Sequence, residues 1–255
     1  MLIKLRKSHL GNSSELKRVF FLVARQRLSK LIFTLTPASV DCTRFGVGSP
    51  FSFLLSPFSF LLSNMQITVY AASSGQVPAA YIEAAGILGK IMAERGHTLI
   101  NGAGRTGLMG ATTEGVLAHG GKAIGVIPQF MIDQGWQHNE MTELIVTPDM
   151  HSRKETMAQR SDACIALPGG VGTLEELLEV ITWKQLGLFL KPIVILNLNG
   201  YYDALLQQLV RATEERFMRQ EHTQIWSVAT TPEEAVMLCE TTPLWSKEVR
   251  KYAAM

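Results

Sequence analysis

Cysteine is scarce in this sequence and isolated where it occurs. Cys42, Cys164 and Cys239 are odd in number and far apart, with no C-x-x-C pair and no Cys/His ligand spacing. Neither a disulfide framework nor a zinc site can organise such a chain, and a reducing cytoplasm is the expected setting. Long apolar runs are missing too. The two apolar bursts near the N-terminus are interrupted by Pro50 and Pro57, too short to span a bilayer. An excess of positive charge is absent from the bulk of the chain. Residues 1–64 carry nine Lys or Arg against Glu15 and Asp41, whereas the remainder carries fifteen basic and twenty acidic residues, a net of −5. Binding of nucleic acid through a broad basic face is thereby excluded, and no membrane partner is expected.

What is present is apolar and regular. Hydrophobic residues make up 47% of 255, enough for a sizeable core and too many for global disorder. Residues 1–64 stand apart: they are Arg- and Ser-rich, poor in acids, and contain the heptapeptide SPFSFLL twice in tandem, at 49–55 and 56–62. Three readings stay open for them, namely a targeting segment, a disordered tail, or an in-frame stretch upstream of a start at Met65. None makes them part of the fold.

From Met65 onward, short β-branched or apolar runs alternate with helical stretches. QITVYA, HTLIN, KAIGVIP, TELIVTP, ACIALP, KPIVILN and QIWSVA read as strands. Helices are expected from Pro78, in the favoured first-turn position, to about Arg95, over GLMGATTEGVLA, over HSRKETMAQRS, from Thr173 onward, from Tyr201 to about Met218, and over TPEEAVMLCE. The alternation predicts an α/β, Rossmann-like three-layer α/β/α fold with a parallel sheet of about seven strands, spanning residues 65–255.

Ligands of such sheets bind at the carboxyl ends of the strands. Three loops rich in glycine or small residues fall there: ASSG at 72–75, NGAGRTG at 101–107 and PGGVGT at 168–173. Glycines let backbone N–H groups approach an anion, and a following helix N-terminus adds partial positive charge, which suits a phosphate. No standard nucleotide motif is met. GAGRTG has the G-x-G-x-x-G form but follows the second strand, and PGGVGT lacks the G-K-[ST] of a P-loop.

Two readings stay open for the glutamates after PGGVGT. Thr173-x-x-Glu176 fits a capping box, with Thr173 as N-cap and Glu175 and Glu179 as surface charges. Equally, Glu176 sits one turn into a helix whose mouth would hold an anion, beside the ligand. MHSRKET (150–156) is the second cluster. Arg153 and Lys154 are expected to open a helix, where positive charge opposes the macrodipole, and such broken rules gather at functional sites. They read as a solvated basic turn or as a phosphate grip, with Arg153 as a bidentate fork and Lys154 as a point charge. His151 is kept in reserve as a general acid.

Together, DMHSRKETM and LPGGVGTLEELLEVITWKQLG resemble the paired M-x-x-R-K and P-G-G-x-G-T-x-x-E signature of the LOG ("Lonely Guy") family. These are cytokinin riboside 5′-monophosphate phosphoribohydrolases, often mislabelled lysine decarboxylases. VYAASSG, GLMGA, GVIP and KPIVILNLNGYYDALL look like further family segments in family order, so the resemblance covers about residues 66–240. It implies hydrolysis of the N-glycosidic bond of a nucleoside 5′-monophosphate, with Arg153 and Glu176 as the catalytic pair. Met150, Lys154, Gly169, Gly170, Val171, Gly172, Thr173, Glu175, Thr182, Ser74 and Gly102 would line the nucleotide site. It implies no metal or redox cofactor and a homodimer, for which the apolar helix EELLEVITWKQLG would serve. Departures bear on substrate choice. Gly135 falls where plant-type members carry a substrate-contacting glutamate, so that Glu140 or Glu143 substitutes or the base pocket differs. Asn101 and Ala103 stand in NGAG, where an altered pocket floor is expected. Unmodified AMP is an alternative substrate. A non-catalytic nucleotide-binding module is the competing reading. The decarboxylase label would need a Schiff-base lysine, and no lysine here has a convincing setting.

Overall fold

A computed structural model describes residues 64–248 of the chain; the readings of the N-terminal segment lie outside the described residues. Seven strands form one all-parallel sheet: β1 (Gln66–Tyr70), β2 (Thr98–Asn101), β3 (Lys122–Pro128), β4 (Glu143–Thr147), β5 (Ala163–Ala166), β6 (Ile193–Leu196) and β7 (Ser227–Ala229), in the order β4-β3-β2-β1-β5-β6-β7. The described residues enter the sheet at its middle with β1, work outward to β4, then return to pair β5 with β1, Tyr70 opposite Ala166. That reversal opens a crevice between the carboxyl ends of β1 and β5, the place where a doubly wound sheet holds its ligand.

Seven helices connect the strands among the described residues: α1 (Ala79–Glu94), α2 (Gly107–Ala118), α3 (Gln129–Asp133), α4 (Met150–Arg160), α5 (Val171–Gln185), α6 (Asp203–Glu214) and α7 (Pro232–Thr241). Strand parity sorts the core into two layers. Ile67, Val69, Ile165, Val194 and Leu196 pack with α1, α2 and α7. Tyr70, Cys164, Ala166, Ile193 and Ile195 pack with Met157 of α4 and Leu177, Val180 and Ile181 of α5. α1 and α2 cross closely because glycines meet backbone there: a Cβ on Gly89 would lie 2.2 Å from the Thr112 carbonyl oxygen, and one on Gly115 would lie 2.3 Å from that of Gly86.

Three helix starts differ from expectation. Pro78 is the residue before α1 rather than its first member. α3 is an additional short helix after Pro128. α6 begins at Asp203, because Asn199 and Gly200 turn the chain with φ of 52° and 73°. The Asn197 side chain then accepts from the Tyr202 N–H at 2.7 Å and donates to Asp203 at 2.7 Å. Tyr201 and Tyr202 therefore stand in a connection, not on a helix.

One core group makes stability depend on pH. Lys184 of α5 is fully buried, donates to the Lys191 carbonyl at 2.8 Å and lies 5.0 Å from the Trp245 ring centre. Burial pushes its ammonium down to about 8. Between that value and the ordinary lysine range the unfolded chain binds more protons than the folded one, so stability climbs as pH rises through this window. Lys184→Met is expected to abolish that climb, worth on the order of 2 kcal/mol. Urea midpoints of both proteins from pH 7 to 10 check it; parallel curves refute it.

Candidate active site

At the β1/β5 crevice lies a cavity of about 680 Å3. The loops around it are knitted together. The Thr106 hydroxyl donates to the Ser73 carbonyl at 2.6 Å, the Met109 N–H to the Ala72 carbonyl at 3.1 Å, and the Ala72 N–H to the Pro168 carbonyl at 3.3 Å.

α4 enters from one side. Asp149 caps it by accepting from the Ser152 N–H at 2.8 Å, which holds the Asp149 carboxyl below the ordinary range. Arg153 and Lys154 thus lie past the first turn of α4 instead of opening it, and the expected conflict with the macrodipole is softened. Arg153 is 5% exposed. Its Nε donates to the Val126 carbonyl at 3.0 Å and its Nη1 to Glu176 Oε1 at 2.9 Å. Its Nη2 lies against Gly102, where a Cβ would sit 1.8 Å from it. The guanidinium is thus wedged under the loop and turned onto Glu176, not presented as an open fork.

α5 enters from the other side. Gly170 is its N-cap and the first intrahelical bond runs from the Leu174 N–H to the Gly170 carbonyl at 3.0 Å. The capping-box reading is corrected here. Thr173 lies in the first turn, packed where a Cβ on Gly169 would reach its hydroxyl at 2.1 Å, and Glu176 lies too deep in the helix to cap anything. The N–H groups of Val171, Gly172 and Thr173 precede the first intrahelical donor, the arrangement that receives anions. Glu176 is 8% exposed. Burial lifts its pKa above the ordinary glutamate value, against the opposing pull of Arg153. Lys154 donates to Glu175 and, at 3.1 Å, to Glu179. Burial draws its pKa down, but the two carboxylates outweigh it and the ammonium sits above its usual value.

Of the residues expected at the site, Ser74, Gly102, Met150, Arg153, Gly170, Gly172, Thr173, Glu175 and Glu176 line the cavity. Lys154, Gly169, Val171 and Thr182 are not among its lining residues. Lys154 is bridged to α5, Gly169 is buried behind Thr173, Val171 is 83% exposed, and Thr182 lies exposed on α5 with its hydroxyl donating to the Leu178 carbonyl at 2.8 Å. Neither Glu140 nor Glu143, the expected substitutes for the missing glutamate, lines the cavity, and Glu143 pairs with Arg160 at 2.7 Å. That wall is apolar: Met109, Ile127, Met131 and Trp136 stand there. Trp136 is placed because its carbonyl accepts from the Arg105 N–H at 3.2 Å while the His138 N–H donates to the Ala103 carbonyl at 2.7 Å. Its signal in the sequence was a tryptophan set among polar residues, too weak to assign.

Asn101 and Ala103 act on the loop's shape, not on the cavity floor. Asn101 is buried, donates to Thr113 at 2.9 Å and accepts the Ala103 N–H at 2.9 Å, so holding Ala103 at a φ of 59°. Among the described residues no cluster of His, Cys, Asp and Glu could hold a metal, and no lysine lines the cavity.

The sequence-family model described as "Possible lysine decarboxylase" matches residues 109–239. The chain is 43% identical over 175 residues to the cytokinin riboside 5′-monophosphate phosphoribohydrolase LOG4 of Arabidopsis thaliana, covering 69% of this chain and 81% of that one. It is 43% identical over 175 residues to the enzyme LOG of Oryza sativa subsp. japonica, which carries the same description, covering 69% and 72%. Among solved structures, the molybdenum cofactor carrier protein of Chlamydomonas reinhardtii matches with a TM-score of 0.53 at 21% identity, covering 76% of this chain and 100% of that one. The molybdenum cofactor binding protein of Rippkaea orientalis matches with a TM-score of 0.53 at 24% identity, covering 69% and 95%. At such identities these two share the fold alone.

Proposed function

This chain belongs to the LOG family, the family whose model matches it, and on that premise we propose that it is an N-glycosyl hydrolase that cleaves cytokinin nucleoside 5′-monophosphates to free base and ribose 5-phosphate. The observation that carries the reading is the buried Arg153–Glu176 pair at the edge of the cavity, directly behind a glycine-rich helix mouth. Cleavage passes through an oxocarbenium-like state at the ribose carbon. Glu176 stabilises that cation and takes a proton from the attacking water, whose hydroxyl joins the ribose carbon as its bond to the base breaks, and the base leaves carrying a proton in place of that bond. Arg153 holds the carboxylate ionised and in place. The backbone N–H groups of 170–173 receive the 5′-phosphate, and the phosphate positions the ribose. The apolar wall of Met131 and Trp136 receives the base, and its character favours a prenylated adenine over plain AMP. Residues 65–255 form the catalytic unit in this reading. The outer face of α5 and the residue that ends it, with Leu178 39% and Leu186 43% exposed beside Thr182, would pair with a second copy in a homodimer. The compartment proposed is the cytoplasm, in keeping with the free buried thiols of Cys164 and Cys239; among the described residues no helix is long and apolar enough to cross a membrane.

The test is incubation with isopentenyladenosine 5′-monophosphate and with AMP, following release of free base by chromatography. Release from both is expected, faster from the prenylated nucleotide. A folded protein that releases base from no nucleoside monophosphate overturns the reading. A preference for AMP moves the substrate to unmodified nucleotides.

A further inference from the structure

Half of the residues in the loop 168–173 are glycine, and glycine peptides rotate at little steric cost. Nothing lies within 4 Å of the position a Cβ on Gly170 would take. The peptide between Gly169 and Gly170 packs against Thr173 on its Gly169 side but has no such support on its Gly170 side, so a bond from outside completes its hold. Tyr201 supplies one: its hydroxyl donates to the Gly169 carbonyl at 2.7 Å. A peptide unit is planar, with its C=O and N–H pointing opposite ways. Holding the Gly169 carbonyl toward Tyr201 turns the Gly170 N–H away from it, and Gly170 lines the cavity. Tyr201 is itself held. It follows the left-handed turn at Asn199 and Gly200. Its ring meets Tyr81 edge-on at 5.9 Å and Tyr202 at 5.1 Å.

Tyr202 provides a built-in comparison. Its hydroxyl donates to the Leu167 carbonyl at 2.6 Å. That carbonyl belongs to the peptide whose nitrogen is Pro168, which has no N–H to aim. Two adjacent tyrosines thus make the same kind of bond to the same loop with different consequences.

We infer that Tyr201 is a positioning residue that sets this enzyme's recognition of the 5′-phosphate by aiming the Gly170 N–H at it. The inference rests on the reading of 168–173 as the phosphate cradle. It differs from that reading in placing control of the cradle on a side chain outside it.

The experiment compares Tyr201→Phe and Tyr202→Phe in the full chain. It measures Tm, kcat and KM, and the binding of AMP, adenosine and inorganic phosphate by calorimetry. Both variants keep their rings. Tyr201→Phe is expected to weaken AMP and inorganic phosphate by at least about tenfold, the loss of one hydrogen bond to a charged group. It should leave adenosine unchanged, raise KM with kcat nearly constant, and shift Tm by less than about 2 °C. Tyr202→Phe is expected to lower Tm while leaving the ratio of AMP to adenosine affinity unchanged. Wild-type affinity for AMP and phosphate in Tyr201→Phe, or an equal loss for AMP and adenosine, overturns the inference. The binding arm separates the two claims. A wild-type chain that binds AMP without cleaving any nucleotide defeats the hydrolase reading and leaves the Tyr201 comparison decisive. One that binds neither AMP nor phosphate overturns both.

Discussion

Glu176→Gln is expected to yield a folded protein that binds nucleoside 5′-monophosphate and scarcely cleaves it, with kcat lowered at least about a thousandfold. Glutamine keeps an oxygen to accept from Arg153 Nη1, now 2.9 Å from Glu176 Oε1, so the geometry of the pair survives. The negative charge that faces the developing cation does not. The phosphate contacts are remote from the substitution, and binding measured by calorimetry should hold within a few-fold. The pH profile carries a second signature. Burial raises the Glu176 pKa, so its carboxylate protonates at a higher pH than an ordinary glutamate does. The acid limb of kcat/KM in the wild-type protein should therefore fall off above the usual glutamate range. Wild-type turnover in Glu176→Gln returns Glu176 to a structural partner of Arg153. An acid limb at the ordinary glutamate position would show that some other group controls it.

Much of this arrangement was legible in the amino-acid sequence, and the failures have physical causes. The strands were readable because each is a short run of β-branched and apolar residues between glycine or polar turns. A parallel sheet covered on both faces favours near-continuous apolar runs in its inner strands, as in ACIA of β5 and IVIL of β6. The capping box was misread because Gly170, like Thr173, can cap a helix, and spacing alone cannot choose between them. The helix expected from Tyr201 was misplaced because Asn199 and Gly200 adopt left-handed conformations, a break that periodicity does not register. The apolar wall with Trp136 was missed for a different reason. Met131 and Trp136 come from the β3–β4 connection, which an isolated bridge between Gly104 and Gln137 ties to the cavity's loop. Arg153 and Glu176 are 23 residues apart in the chain, and residue types alone do not say that they touch. Their joint appearance in the family signature did suggest it, and the α4 and α5 helices bring them together across the carboxyl end of the sheet.

The second large effect is expected from a single methyl group. Gly102→Ala places a Cβ 1.8 Å from Arg153 Nη2 and 2.9 Å from its Cζ. Backbone strain is not the difficulty, since Gly102 has no left-handed φ. The clash falls on the end of a long side chain, which would give way cheaply if it were free. It is not free: Arg153 is 5% exposed and bonded to both the Val126 carbonyl and Glu176. To reach ordinary contact the guanidinium must withdraw by more than about 1 Å, and displacements of that size at a reacting site typically lower turnover about a hundredfold. A fall of that order in kcat is expected, with nucleotide binding less affected because the cradle at 170–173 is untouched. Displacing the Arg153 guanidinium from its bond to Glu176 should also let the Glu176 pKa rise further, since Arg153 in its present place opposes the effect of burial. The acid limb of kcat/KM in Gly102→Ala should accordingly move to higher pH than in the wild type. A variant with wild-type kcat and an unmoved acid limb would mean that Arg153 does not need its place beneath Gly102. The joint shift of rate and pH profile, at nearly constant Tm, would show that this glycine serves the carboxylate through the arginine it makes room for.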